Sequence, residues 1–487
     1  MPSRAARFLI IVVLWAALYL PVLGWLEIRG EEGKRVMPAV QMLDRGNYLV
    51  PYLAAHPYLN KPPMTNWLVA ASFRISGIRN EWTARFPSAI LVLVVALVFV
   101  TVGRVRLGAA GSTISAVSWL TTLEVINKGR TIETDAINAS FFAIAFILWL
   151  TFWQRRRSPW LTFTVPWIFL GLGFLTKGPG LLLFFYFIVI AVAFRNGRLR
   201  ELLHPAHWIG ISITMSIFAA WAVPFFLAVR SESLGQVWWR ELAAILFGEK
   251  GHSENWALNL PRGIAFFLPW ILLLPLIRFS KIDPPKDGFV VANNLVEQET
   301  ARGLFWGSVL AFVVVLLFPG SAPRYVLPLA APLCWMFGVA FTTDAFEWRL
   351  FHIQFPRRVS VFAIAVAIIA EIVVFPIRTA REAKTHQVLR PIAAQINAVM
   401  PANEPFYAID LRYEPYLFYV RAPVRYLVRL EELPADARFF LIQSRDLDKM
   451  ETNARWDALR PRLLARTNLF RSNDTMLFSV SRNQPSP

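Results

Sequence analysis

The sequence predicts a mainly α protein: a polytopic bundle of about 11–13 membrane-spanning helices followed by a small α/β domain. Three observations predict it. Of 487 residues, 56% are hydrophobic and only 17% are charged, too little polar side chain to cover a water-exposed surface of this size. Apolar runs near membrane-spanning length recur between residues 8 and 377, with Lys and Arg clustered between them. Beyond residue 378 those runs shrink to strand length, and Arg, Asp and Glu become frequent. The expected division is therefore 1–378, a transmembrane domain that includes a first extracytoplasmic loop at 27–85, and 379–487, an extracytoplasmic α/β domain.

The first run, 8–26, follows Arg4 and Arg7. It is longer than a signal-peptide core and lacks a small-x-small cleavage pattern before the polar stretch, so it reads as a span. Further spans fall at 86–103, 109–126, 136–152, 160–175, 179–194, 208–228, 264–277, 304–318, 325–341 and 359–377. Several are shorter than the ~20 residues a perpendicular helix needs, so this set is a minimum. With the amino terminus in the cytoplasm, the cytoplasmic loops hold Arg104 and Arg106, then Arg155, Arg156 and Arg157, then Arg195, Arg198 and Arg200. Later ones hold Arg278, Lys281 and Lys286, then Arg349, Arg357 and Arg358. Every such loop is basic, as the positive-inside rule requires. The segments 27–85 and 229–262 and the carboxyl-terminal domain then lie outside the cytoplasm.

That pattern also accounts for the formal charge of +18, from 50 Lys and Arg against 32 Asp and Glu. The basic loops meet anionic membrane lipids, and with no nucleic-acid motif beside them a nucleic-acid partner is excluded. Cys334 is the single cysteine, so neither an internal disulfide nor a Cys-based zinc site can form. In the second domain, 380–400 reads as an amphipathic helix, 406–409, 424–428, 439–443 and 476–480 as strands, and 446–464 as helical.

Chemistry concentrates on the outer face. The stretch 27–67 is too polar to span and rich in Trp, Tyr and Pro, so it is expected to lie along the membrane surface. Within it Val36, Met37, Val40 and Leu43 recur at helical spacing, as in an interfacial helix. Glu31 and Glu32 stand just past the first span, where they either cap this helix or belong to a site. Asp135 begins the fourth span on the same face. Carboxylates at a bilayer edge need water or cations, and cations share this depth: Lys61 in NKPPM, Lys128, Arg130, Lys177 in FLTKGPG, His252 in EKGHSEN and Arg324 in SAPRYVLP. Lys177 and Arg324 either snorkel to the interface or hold an anionic ligand.

A lipid-linked phosphate suits the second reading, because its tail stays among helices while its head group enters the outer cavity. The implied chemistry is sugar transfer from a polyprenyl phosphate. A carboxylate takes the proton of an acceptor hydroxyl attacking the anomeric carbon, the cations stabilise the departing phosphate, and configuration inverts. The other class to weigh is a transporter or flippase of a lipid-linked sugar, whose polar groups would continue across the bilayer midplane. Here they gather at one rim, which favours an enzyme.

The segments EEGKR, QMLDRGNYLVPYL, YLNKPPMTNWL, TIETDAINA, GFLTKGPG and RYVLPLAAP resemble integral-membrane glycosyltransferases of the GT-C fold, in the branch of aminoarabinose lipid A transferases and protein O-mannosyltransferases. The resemblance implies a bacterial inner-membrane enzyme taking sugar from a polyprenyl-phosphate donor at the outer face, for a lipid, glycan or protein acceptor. By position, Glu31 falls where the group has the aspartate of an Asp-Glu pair, its catalytic base, and Glu32 falls on the partner. Glutamate is one methylene longer, so Asp135 is counted with them as a catalytic carboxylate. Lys61 matches the lysine of the KPP motif and Lys177 a donor-phosphate lysine, with Arg324 and His252 grouped beside them. Lys34 and Arg35 stand where relatives show Arg then Tyr and receive no role. No cofactor is expected. A divalent cation on the acids is the alternative, disfavoured by the adjacent lysines. His204 and His207 in HPAH lack a third ligand for zinc, and Glu371 inside the last span is assigned no role.

Overall fold

The structure is a computed structural model describing residues 3–229, 239–240, 243–247, 253–282, 294–343, 345–347, 349–350, 353–354, 357–385, 387–411, 413–470 and 473–480. The chain forms two compact units. The first comprises Met1–Leu23, Leu59–Leu68 and Arg85–Ile377, the second Gly24–Tyr58, Val69–Ala84 and Arg378–Pro487. The sequence alone assigns 27–85 to the membrane region, whereas the structure gives most of it to the second unit.

In chain order the helices are α1 (Arg4–Tyr19), α2 (Gly33–Arg45), α3 (Met64–Ser76), α4 (Glu81–Val98), α5 (Arg104–Leu120), α6 (Leu123–Gly129), α7 (Thr134–Gln154), α8 (Pro159–Lys177), α9 (Gly180–Arg195) and α10 (Pro205–Val229). They continue with α11 (Asn259–Ala265), α12 (Asn294–Leu317), α13 (Ala330–Thr342), α14 (Arg357–Thr385) and α15 (Leu389–Val399). Among the described residues seven helical stretches are long and apolar enough to cross a membrane, or eight with one bent pair counted as a span. The longest, Glu81–Leu120, is divided at Gly108, whose φ of +70° is open to glycine and strained for other residues. That break falls between the predicted spans 86–103 and 109–126.

The predicted span 264–277 is not a straight helix. α11 and a 3-10 segment, Trp270–Leu276, meet at an 88° bend, with Pro269 at the junction, where a missing N–H stops the helical ladder. The freed carbonyls are used: Phe266 accepts from the Glu124 N–H at 3.1 Å and Leu268 from Leu123 at 2.9 Å. Irregular backbone at membrane depth persists only when satisfied in this way.

α7 forms the middle of the bundle, with 89% of its apolar window buried, against 22% for α10 and none for α14, whose apolar surfaces the protein leaves largely uncovered. Trp119, Trp149, Trp167 and Trp335 are fully buried in this unit.

The second unit is built on a five-stranded sheet of order β6-β5-β7-β9-β8, from β5 (Phe406–Ile409), β6 (Val424–Leu427), β7 (Phe439–Gln443), β8 (Pro461–Phe470) and β9 (Asn473–Val480). Two-residue hairpins β1 (Tyr52–Leu53) with β2 (His56–Pro57) and β3 (Arg349–Leu350) with β4 (Ile353–Gln354) precede it in the chain. β5 pairs in parallel with β6 and β7, while β9 runs antiparallel to β7 and β8. Alternation along β5 sends Phe406 and Ala408 to one core, with α15, and Tyr407 and Ile409 to another, with Trp456. The stretch 446–464, expected to be helical throughout, holds only α16 (Leu447–Glu451) and α17 (Ala454–Leu459) before β8 begins at Pro461. Pro461 cannot continue the helix, and pairing with β9 sets the strand from there.

Two details tie 24–58 into this unit. Met37 of α2, expected at a lipid interface, packs with Leu389, Ile396 and Phe406. The predicted helix 380–400 is interrupted: α14 ends at Thr385 and α15 starts at Leu389. The buried Glu27 carboxylate covers the new helix start, its Oε2 accepting from the Val388 and Leu389 N–H groups at 2.9 Å and its Oε1 from Arg390 at 2.8 Å. A negative group at a helix amino terminus meets both the unpaired donors and the dipole.

Glu27→Ala is expected to cost the second unit about 2 kcal/mol or more, read as faster amide exchange at Leu389 and Arg390. Parental exchange at these amides would show that the carboxylate does not cap α15. Burial pushes the Glu414 carboxyl up to about 8 from 4.5. The cost of ionising it in the fold is absent at low pH, grows as pH rises from about 4.5, and is complete above about 8. Glu414→Gln should match the parent at pH 4 and exceed it by up to about 3 kcal/mol at pH 9, as followed by chemical denaturation across that range.

Candidate functional site

In the first unit, three segments distant in sequence meet around one carboxylate. Asp135 lies in the first turn of α7, where the helix dipole favours an acid, and is buried. Lys177 is the last residue of α8. Gly178 follows with φ +93° and turns the chain toward α9, a conformation that suits glycine. Arg324 belongs to the 3-10 segment Pro323–Leu329 that leads into α13. Lys177 donates from Nζ to Asp135 Oδ1, and Arg324 Nε stands 3.5 Å from Asp135 Oδ2. The Tyr325 ring closes the group, 4.1 Å from Lys177 Nζ and 5.7 Å from the Arg324 guanidinium carbon, both within cation–π range.

Formal charges of −1 on Asp135 and +1 each on Lys177 and Arg324 leave this trio at +1. The nearby Lys128 and Glu133 neutralise each other at 2.7 Å. Glu124, on α6 between the spans, is buried, and that burial pushes its carboxyl above the usual range although Asn127 donates to it at 3.1 Å. Asp135 thus holds the two cations side by side. Arg130, grouped with them by sequence, does other work: it donates to the carbonyls of Leu18 and Pro21, satisfying the carboxyl-terminal end of α1.

The second unit holds the other predicted carboxylates. Glu31 is 47% exposed and pairs with Lys34 Nζ at 2.7 Å and Arg35 at 3.9 Å. Glu32 is buried and accepts the Arg29 N–H at 3.2 Å, so it braces the turn before α2. Lys34 and Arg35, without a role in the sequence, acquire one here: the first pairs with Glu31, the second also donates to the Tyr58 hydroxyl. Two tyrosines of the carboxyl-terminal segment hold the loop. Tyr413 donates to the Gly30 carbonyl at 3.0 Å, and the Tyr419 hydroxyl accepts the Ile28 N–H at 2.7 Å. A Cβ on Gly33 would come within 2.2 Å of the Tyr413 hydroxyl, so any larger residue there must displace that side chain.

Lys61 sits half-buried in the first unit, just before α3. His252 lies outside the described residues. Among the described residues no three His, Cys, Asp or Glu side chains stand close enough to share a metal ion. His207 is held between the Tyr186 hydroxyl and the Leu202 carbonyl, and His204 Nδ1 accepts the Ala206 N–H. Tyr325, Tyr413 and Tyr419 escaped the sequence. An aromatic beside an arginine, or in a small domain, looks like any other interface or core residue until its partners are known.

A family model described as dolichyl-phosphate-mannose-protein mannosyltransferase matches residues 60–223. An undecaprenyl phosphate-alpha-4-amino-4-deoxy-L-arabinose arabinosyl transferase of Pseudomonas fluorescens is 27% identical over 320 residues, 63% of this chain and 54% of the relative. Its counterpart in Pectobacterium atrosepticum is 27% identical over 347 residues, 68% of this chain and 59% of the relative. The chain thus spans little more than half the length of these curated relatives. Its fold is that of ArnT from Cupriavidus metallidurans: the structure bound to undecaprenyl phosphate superposes with a TM-score of 0.67 at 15% identity, covering 99% of both chains. The archaeal oligosaccharyltransferase AglB from Archaeoglobus fulgidus, solved with an inhibitory peptide and a dolichol-phosphate, gives 0.51 at 12% identity, covering 91% of this chain and 70% of that one. In sequence and fold the chain resembles the GT-C glycosyltransferases of the aminoarabinose transferase and protein mannosyltransferase group.

Asp135→Asn removes the carboxylate that Lys177 and Arg324 share and should destabilise the first unit by about 3 kcal/mol. Adding Lys177→Met should recover part of that loss. Additive losses in the double variant, measured by thermal unfolding in detergent, would show that the two side chains are not coupled.

Proposed function

We propose that this protein is an inverting glycosyltransferase, moving a sugar from a polyprenyl-phosphate donor to a lipid, glycan or protein acceptor on the extracytoplasmic face of a bacterial inner membrane. The observation that carries the proposal is the net-positive trio of Asp135, Lys177 and Arg324, in a chain with the fold of a protein solved with undecaprenyl phosphate. The basic loops support an amino terminus in the cytoplasm and the trio on the other side.

In this reading Lys177 and Arg324 bind the donor phosphate, and Lys61 adds a third cation from the KPP loop. As the anomeric C–O bond to phosphate breaks, the oxygen gains charge, and cations already in place stabilise it without reorganising. Asp135 serves chiefly to position them, since it touches both. Glu31 keeps the role of base that its sequence position gives it. Glu32 holds the turn that presents it. His252 stays with the donor-binding group on its sequence position alone. The phosphate is neutralised by Lys and Arg, so the reaction as proposed requires no metal.

Purified protein in detergent, given a radiolabelled undecaprenyl-phosphate aminoarabinose as first donor and extracted bacterial lipid or glycan as acceptor, tests this. Glu31→Gln should lower turnover by ~10²–10⁴-fold with donor binding retained. Lys177→Ala, Arg324→Gln and Lys61→Ala should chiefly raise the donor KM. Near-parental transfer by Glu31→Gln would remove it as the base, and an unchanged donor KM in all three cation variants would refute the phosphate site.

A further inference from the structure

The far ends of the same helices hold a second polar site that the proposed reaction does not use. α7 spans roughly 30 Å at 1.5 Å per residue, so the α7–α8 turn lies at the opposite rim of the first unit from Asp135 and Lys177. There a cavity of about 410 Å³ opens, lined among others by Trp153, Arg157, Arg198, Arg200, Glu201 and His204.

Its arginines are placed by two matching helix ends. α7 closes with Arg156 at φ +49°, the Arg157 N–H reaching back to the Phe152 carbonyl and the Arg156 N–H to Trp153. α9 closes with Gly197 at φ +65°, the Arg198 N–H reaching to Ala193 and the Gly197 N–H to Phe194. Both are Schellman caps, and in each the residue after the left-handed position is an arginine beside the negative end of a helix dipole. The Arg198 guanidinium carbon lies 4.2 Å from the Trp153 ring centre, and its Nε pairs with Glu201 at 2.5 Å. The Trp153 indole N–H donates to the other Glu201 oxygen at 2.9 Å. Arg198 and Glu201 therefore cancel, and Arg157 and Arg200 leave the lining at +2.

The flank of this cavity is apolar and open. Leu203, which lines it, is 71% exposed, and Trp160, whose ring meets His204 edge-on, is 51% exposed. Trp208, next along α10, is 57% exposed. A soluble anion has no use for such a border, whereas a phospholipid needs both parts: cations for its phosphate and apolar surface for its chains. We infer that this cavity binds the head group of an anionic phospholipid, its phosphate between Arg157 and Arg200 and its acyl chains along Trp160, Leu203 and Trp208. The inference is independent of the proposed transferase activity.

Native mass spectrometry of the delipidated full-length protein, titrated with dioleoyl phosphatidylglycerol or dioleoyl phosphatidylcholine, tests it. Phosphatidylglycerol should bind in preference. The double variant Arg157→Gln/Arg200→Gln should weaken that binding about tenfold to thirtyfold while leaving phosphatidylcholine unchanged, and Arg157→Lys/Arg200→Lys should restore most of it. The lysine variant also separates loss of charge from loss of fold, since both variants remove the same guanidinium contacts. Equal phosphatidylglycerol binding by parent and glutamine variant overturns the inference. So does displacement of the lipid by an equal concentration of inorganic phosphate, which would make the ligand a soluble anion.

Discussion

A charge placed inside or at the end of a membrane helix must find its counter-charge or a polar backbone, and this requirement organises the first unit. Asp135 draws α7, the end of α8 and the segment before α13 to one point through Lys177 and Arg324. Arg106 pairs with the buried Glu297, to which Gln154 also donates. Arg130 and Arg85 turn their guanidinium groups onto the carbonyls of Leu18, Pro21 and Leu23, where α1 runs out. Each polar group costs little because each is matched, and each match links elements far apart in the chain.

The second unit solves a different problem with the same means. A small sheet buries too little apolar surface to stand on its own strands, so it recruits α2 through Met37 and receives the Glu27 carboxylate at the start of α15. Arg390 then reaches Glu81, which also accepts from the Tyr419 hydroxyl. The loop bearing Glu31 is thereby ordered by groups some 380 residues later in the chain, such as Tyr413.

Much of this was legible in the residues. The periodic apolar runs and basic loops located α7, α8, α9, α10 and the helices before the second domain, and 406–409 and 439–443 appear as strands with the predicted bounds. The misreadings share a cause. Val36, Met37 and Val40 announce an apolar stripe, but a stripe does not say whether lipid or protein covers it. The run 264–277 is apolar enough to span, yet Pro269 and the waiting donors of Leu123 and Glu124 make a bend the better solution. Residues 461–464 carry no strong local preference, and pairing with β9 decided them.

The sequence by itself determined which residues are acidic, which are basic and which segments prefer apolar surroundings, because these follow from side-chain chemistry and spacing along one chain. It therefore sufficed to single out Glu31, Asp135, Lys177 and Arg324 as candidates. Only the tertiary structure decided what each touches: that Asp135 is clasped by Lys177 and Arg324, that Glu31 pairs with Lys34 and Arg35, and that Arg130 closes a helix. Those distinctions depend on which partner sits within about 3–4 Å in a low-dielectric setting, and that distance is a property of the packed fold, not of the order of residues.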